Sequence, residues 1–141
     1  MTWTLFIDDE RIPEDVTWVA YTDPEIRDFE VARNISHVVE LLAFHGSMPD
    51  FISFDHDLGD HTASGAQIAK FLIALDMADQ HDLYFYGSEV KQEFLKILDD
   101  NRSKFRFSSD FKFVVHSQNP VGKQNIEGIL RGYLQHHLNR E

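Results

Sequence analysis

The chain has 141 residues, 43% of them hydrophobic, and this length and composition predict one globular domain over residues 1–141. A formal net charge of −11 argues against duplex DNA as a partner, and the lack of cysteine excludes disulfides and thiolate metal sites. No apolar run reaches the roughly 18 residues that cross a bilayer. Since the start MTWTLFIDDE also lacks a secretion signal, we expect a cytoplasmic protein with no membrane partner.

The first third of the chain predicts strands followed by a helix. An apolar run over residues 3–9 ends in acids, which is typical of a buried strand that leads into a loop. A polar, turn-rich stretch follows, with an edge strand predicted at 18–21 and another strand at 29–34. Ser36 is predicted to cap the next helix, which ends at Gly46.

The remainder of the chain continues this alternation. Strands are predicted at 50–55 and 111–117, and the first of them, DFISFD, has the unbroken apolar pattern of a strand buried on both faces. Helices are predicted at 64–80, 88–104 and 119–138. Strands that alternate with helices indicate an α/β fold, a small, doubly wound and mostly parallel sheet with helices on both faces.

Ligands of such sheets bind beyond the carboxyl ends of the strands. Each predicted strand delivers polar groups to that edge: Asp8 and Asp9, then Arg33 and Asn34, then Asp55, His56 and Asp57, and finally His116 and Ser117.

The carboxylates at this edge predict a cation site. Asp8, Asp9 and either Asp55 or Asp57 would meet because neighbouring strands lie about 5 Å apart. Carboxylates that close need a compensating cation, and oxygen ligands favour Mg²⁺, with Mn²⁺ as the alternative. The competing interpretation is that one aspartate caps a helix while the others are solvated.

The histidines and the arginine at the edge each allow two interpretations. His56 and His116 are candidates for proton transfer or metal ligation, against a purely structural hydrogen-bonding role. Arg33 suits a phosphate, with Asn34 as a neutral donor, but Arg33 would equally pair with Asp8 or Asp9 to hold the fold.

The segment HSQNPVGKQNI, residues 116–126, predicts an anion site. A turn at Asn119 is followed by the start of a helix, and Gly122 permits close backbone approach. Ser117 and Asn119 would add side-chain contacts to the exposed N–H groups. The spacing of a Walker loop is absent.

Four motifs in this order, LFIDDER, ARN, ISFDHDLG and VHSQNPVGKQNI, resemble the cyclic-phosphate-processing receiver domain, a family found in bacteria and bacteriophages. The resemblance covers residues 4–59 and 111–134. It implies a receiver-like, flavodoxin-like fold in which Asp8, Asp9 and Asp55 surround Mg²⁺. It also implies a functional histidine after the acceptor aspartate, matched by His56, and a histidine–serine pair, matched by His116 and Ser117. A phage origin would place the protein in the host cytoplasm.

Residues and resemblance together predict a metal-dependent phosphodiesterase or phosphotransferase, a hydrolase-type enzyme acting on a cyclic phosphate of a nucleotide or RNA end. His56, oriented by Asp57, and His116 would be its base and acid. One alternative is a non-catalytic module that binds a cyclic nucleotide or a protein partner. The other is a receiver phosphorylated on Asp55, which the lack of a lysine on a further strand makes less favoured. The sequence leaves the oligomeric state open.

Overall fold

The structure is a computed structural model that describes residues 3–138, with side chains through His136. Its strands are β1 (Thr4–Ile7), β2 (Phe29–Ala32), β3 (Phe51–Phe54) and β4 (Lys112–Val115). Its helices are α1 (Asp23–Asp28), α2 (Ile35–His45), α3 (Gly65–Met77), α4 (Gln80–Tyr86), α5 (Gln92–Asp100) and α6 (Pro120–Leu138), with short 3-10 helices at Pro13–Asp15 and Arg102–Lys104. None of the helices within residues 3–138 is long and apolar enough to span a membrane.

The strands form a four-stranded sheet in the order β2-β1-β3-β4, and every neighbouring pair is parallel. This confirms the predicted α/β class with a parallel sheet and a receiver-like strand order. The register pairs Ile7 with Phe54, and Phe54 with Val115, at the last position of each strand. The residues that follow β1, β3 and β4 therefore begin side by side.

The two faces of the sheet are covered differently. Leu5, Ile7, Ile52 and Phe54 join a large core to which α2, α3, α5 and α6 contribute buried side chains. The opposite face carries a small cluster centred on Phe6, and it is covered by the segment 11–28 with its short helices. Because alternate strand residues share a face, the side chains two positions after Phe6 and Ser53 lie on this second face.

Local structure departs from the sequence-based elements in several places. Residues 18–21, predicted as an edge strand, form an irregular segment that packs on the second face. The cap of α2 is Asn34, whose side chain accepts from the His37 N–H, and the Ser36 prediction was wrong by two residues. The short helices α1 and α4 were not predicted, because α1 buries no side chain and α4 buries only Leu83.

Candidate active site

Three ionisable side chains meet where β1, β3 and β4 end. Asp8, Asp55 and His116 each bring one potential ligand atom into a group whose members lie within 4.8 Å of one another. Their relative exposures are 1%, 6% and 0%. The parallel register brings the three strand ends together, and the alternation of side chains turns all three toward the second face of the sheet.

The ring of His116 is held by two hydrogen bonds and a stacking contact. Its Nε2 lies 2.9 Å from Asp8 Oδ2, and its Nδ1 lies 2.7 Å from Ser53 Oγ. The ring stacks on Phe6, with centroids 4.5 Å apart and planes 4° from parallel. The indole N–H of Trp18 donates to the His116 carbonyl oxygen over 2.7 Å. These contacts fix the position of the imidazole and occupy both of its nitrogens.

The surroundings of Asp8 favour its ionised form. Its Oδ1 accepts from the backbone N–H groups of Glu10 and Arg11 at 2.9 and 2.8 Å. Burial alone raises the pKa of Asp8, but the hydrogen bond from His116 and the two backbone bonds outweigh it and lower the pKa to about 2. Asp8 is therefore a buried, permanently charged acceptor at neutral pH.

Asp55 has the opposite electrostatic environment. Burial first, and the charge of Asp8 second, raise the pKa of Asp55 above its ordinary value. One of its oxygens accepts from the His56 N–H at 2.9 Å. A second buried carboxylate beside an ionised one is unfavourable without a cation, so two carboxylates and an imidazole fit a divalent metal ion as a donor set. Asp9, the third predicted ligand, lies outside this group of three.

A cleft of about 360 Å³ opens in front of two of these buried side chains, Asp8 and Asp55. It is lined by Asp8, Asp9, Glu10, Arg11, Asp55, Asp57, Gly59, Ser117, Gln118 and Asn119. Of the predicted site residues, the lining thus includes the aspartates together with Ser117 and Asn119. The remaining predicted residues, His56, His116, Arg33, Asn34 and Gly122, lie outside the lining.

Arg11 is the one lysine or arginine among these lining residues, and sequence reasoning passed over it as a phosphate ligand. Its guanidinium lies 3.6 Å from Asp8 Oδ2 and 3.5 Å from Gln118 Oε1, and it sits over the Trp18 ring at 5.2 Å. Its position three residues after Asp8, on the loop that wraps the Asp8 carboxylate, was the available signal.

The side chains of Arg33 and Asn34 make hydrogen bonds to the backbone of the fold. The Arg33 guanidinium donates to the backbone carbonyls of Asp8 and Arg11 at 3.1 and 2.7 Å. It therefore shapes the loop that carries Arg11, whereas Asn34 caps α2. Phosphate binding by these two residues stays a prediction.

His56 and Asp57 form a pair at the rim of the cleft. His56 Nδ1 lies 2.8 Å from Asp57 Oδ1, and Asn119 Nδ2 donates to Asp57 Oδ2 over 3.2 Å. The hydrogen bond from His56, and then that from Asn119, lower the pKa of Asp57. An ionised carboxylate only accepts, so the proton of neutral His56 lies on Nδ1 and its Nε2 keeps a free electron pair.

Gly122 supports the position of His56. A Cβ at Gly122 would lie 2.4 Å from the His56 ring, so only glycine lets the ring rest against the first turn of α6. The Gly122 N–H donates to Asn119 Oδ1, and the Asn119 N–H donates to Ser117 Oγ, each over 3.1 Å. The predicted anion segment is thus an ordered turn between β4 and α6 beside the cleft.

Residues 3–87 match the family model described as the cyclic-phosphate processing receiver domain. None of the curated proteins and none of the solved structures matches the chain. The matched range includes Asp8, Asp55 and His56, whereas His116 and the turn that precedes α6 lie beyond it.

Proposed function

Because the chain belongs to the family of cyclic-phosphate processing receiver domains, we propose that it is a divalent-metal-dependent phosphodiesterase or phosphotransferase. Its substrate would be a cyclic phosphate of a nucleotide or of an RNA end. The observation that carries the proposal is the buried group of Asp8, Asp55 and His116, whose two aspartates line an open polar cleft. Carboxyl groups in a cleft whose pKa values are shifted in opposite directions are a common mark of a functional site.

The proposed cation, most simply Mg²⁺ or else Mn²⁺, would be held by Asp8 and Asp55, with Asp9 at the cleft surface as a further oxygen donor. When bound, it would supply the positive charge that polarises phosphoryl oxygens. The ionised state of Asp8 supports this assignment, because a ligand that is already deprotonated binds without releasing a proton.

Phosphate binding would fall to Arg11 and the turn before α6. Arg11 places a planar, permanently charged donor at the cleft wall, with room for its free N–H groups to meet phosphate oxygens. Ser117 and Asn119 line the same cleft from the turn between β4 and α6.

Proton transfer is assigned to His56, with Asp57 orienting its ring. His56 keeps one nitrogen free and its side chain is 20% exposed, whereas His116 is fully buried with both nitrogens bonded. His116 would instead be a ligand of the cation, beside Asp8. The two predicted histidines thus have different proposed roles, proton transfer for His56 and cation binding for His116.

The test is hydrolysis of 2′,3′- and 3′,5′-cyclic nucleotides with Mg²⁺ or Mn²⁺, followed by separation of the linear phosphomonoester. His56→Ala is expected to lose at least about 10²-fold in rate, the usual size of an acid–base contribution, and Asp55→Asn is expected to lose activity together with cation binding. His81→Ala is the matched control, since the His81 side chain is 88% exposed on α4. Absence of turnover for every cyclic nucleotide in the wild type would overturn the enzyme proposal.

A non-catalytic module that binds a cyclic nucleotide is the second candidate, and the burial of His116 favours it, since that removes one predicted proton carrier from solvent. Recovery of the ligand intact after prolonged incubation with the cation would establish it. Phosphorylation of Asp55 fits less well, because the sheet of the described chain ends at β4 and Lys112 and Lys123 are both exposed.

A further inference from the structure

A chain of hydrogen bonds runs from the candidate cation site to the segment that covers the second face of the sheet. Tyr21 Oη lies 2.5 Å from Ser53 Oγ, which lies 2.7 Å from His116 Nδ1, and His116 Nε2 lies 2.9 Å from Asp8 Oδ2. Ser53, His116 and Asp8 are all at most 1% exposed. Buried polar groups in such a line must each donate and accept in a consistent direction.

With a neutral imidazole at His116, donor and acceptor chemistry gives the hydrogen bonds one direction. Ionised Asp8 only accepts, so the proton of neutral His116 lies on Nε2 and points at Asp8. Nδ1 then carries a lone pair and accepts from the Ser53 hydroxyl. The Ser53 oxygen in turn accepts from the hydroxyl of Tyr21, whose proton is firmly held because burial raises its pKa to about 12. Each hydrogen bond in the series therefore donates in the direction from Tyr21 toward Asp8.

A cation at the site would require the opposite direction. Metal ligation through Nε2 uses the electron pair that the proton now occupies, and a ligating imidazole normally donates its other N–H to a fixed acceptor. Here that acceptor is Ser53 Oγ. Its hydroxyl would then donate to Tyr21 Oη, and the Tyr21 hydroxyl would donate outward. Tyr21 is half-buried and also lines a second, mainly apolar groove of about 400 Å³, so it ends at the molecular surface.

We propose that Tyr21 and Ser53 are positioning residues for His116, and that their hydrogen-bond chain reverses when a divalent cation takes Nε2. This inference rests on the cation site of the proposed function. The exchange balances: the Nε2 proton leaves to water, the Ser53 proton passes to Nδ1, the Tyr21 proton passes to Ser53, and water returns one proton to Tyr21. The hydrogen-bonded residues Tyr21, Ser53 and His116 therefore keep the same total charge.

The proposal accounts for a buried serine within the strand FISF. Ser53 is fully buried between Ile52 and Phe54, where an unbonded hydroxyl would be costly. It lies two positions before Asp55, and because side chains alternate between the faces of a strand, Ser53 is on the same face as the site. A hydroxyl both donates and accepts, so it can serve either direction of the chain, which an amide or a carboxylate at this position would not do as simply.

The experiment reads the ring protons of His116 directly. Protein labelled with ¹⁵N-histidine is examined by long-range ¹H–¹⁵N correlation without cation and with saturating Zn²⁺, a diamagnetic probe that accepts oxygen and nitrogen ligands. His116→Gln serves only to assign the signals. We expect the proton on Nε2 without Zn²⁺ and on Nδ1 with it.

Cation affinity gives the second readout. Ser53→Ala is expected to weaken Zn²⁺ binding about 10- to 100-fold, the usual cost of removing the group that orients a ligating histidine. Ser53→Thr keeps the hydroxyl and is expected to restore most of the affinity, and Tyr21→Phe should fall between. Tyr133→Phe is the control, because it removes a tyrosine hydrogen bond to Asp76 away from the site and should leave the affinity unchanged.

The outcomes separate this inference from the proposed function. A proton on Nδ1 without Zn²⁺, no reversal at saturation, or unchanged affinity in Ser53→Ala overturns the reversal, while a cation bound by the wild type leaves the proposed function standing. If the wild type binds no divalent cation, both fall together. Unfolding curves of each variant show whether a loss of affinity comes from a loss of the fold.

Discussion

His116 Nε2 lies 2.9 Å from Asp8 Oδ2, and both side chains are buried. The two residues are 108 positions apart in the chain and come together because β1 and β4 both flank β3. A buried imidazole–carboxylate pair of this kind stabilises only when both partners are present, since either one alone leaves an unpartnered buried polar group.

The first prediction concerns acid stability. The pKa of Asp8 is about 2 in the folded protein against an ordinary value of 3.8. A lowered carboxyl pKa contributes stability that is present above the unfolded value and is lost as the pH falls through the folded value, in total about 2 kcal/mol. Urea unfolding of wild type and Asp8→Asn, compared at several pH values from about 5 to about 2, should show the stability difference shrinking over that window. A constant difference would contradict it.

The second prediction concerns Asp55→Asn. Burial and the charge of Asp8 raise the Asp55 pKa, so its ionised form destabilises the cation-free fold. The amide keeps an acceptor for the His56 N–H and should increase the unfolding free energy by about 0.5–2 kcal/mol without Mg²⁺. The stabilisation by Mg²⁺ that the proposed cation site predicts for the wild type should disappear in this variant. Asp60→Asn, at an exposed position of the same loop, should change neither quantity.

The third prediction separates the two arginines. Arg11→Gln should weaken inorganic phosphate binding about 10- to 100-fold with little change in stability, because its guanidinium faces the cleft. Arg33→Gln should lower the unfolding free energy by about 1–3 kcal/mol, because it leaves the carbonyls of Asp8 and Arg11 without their donor. Arg131→Gln, an exposed ion-pair residue on α6, is the control. Phosphate titrations and urea unfolding measure both effects, and the reverse pattern would restore Arg33 as the phosphate ligand.

Much of this architecture could be read from the sequence. Four apolar runs that each end in polar residues predicted both the parallel sheet and the edge where the site lies, since parallel strands bring their carboxyl ends together. The prediction that the residues after β1, β3 and β4 lie at one edge required only that the strands run parallel, whereas the trio of Asp8, Asp55 and His116 depends on the strand order and register of the folded sheet.

What the sequence did not reveal depends on side-chain direction and on the irregular segment 11–28. Arg11 and Arg33 both follow strands, and only the folded loop shows which guanidinium faces the cleft and which is used by backbone carbonyls. Tyr21 belongs to a stretch without periodicity, so nothing in the chain linked it to Ser53. Ser53 itself left one clue, its even spacing from Asp55, which places two polar side chains on one face of an otherwise apolar strand.

The last prediction tests whether catalysis depends on the position of the His56 ring against α6. Gly122→Ala would place a methyl group 2.4 Å from the His56 ring and push the ring away from α6. Because misplacement of a catalytic group by about 1 Å costs about 10²-fold in rate, we expect kcat on a cyclic nucleotide to fall by that factor. The His56 ring signals in an NMR spectrum should shift at the same time.

Gly128→Ala is the matched control for this variant. It lies on the same helix with nothing within 4 Å of the added methyl group, so it should keep full activity. It should also gain about 0.5–1 kcal/mol of stability from the better helix propensity of alanine. Equal activity of the two variants, with the His56 signals shifted only in Gly122→Ala, would show that His56 takes no part in the chemistry. The base would then have to be sought among the residues that line the cleft.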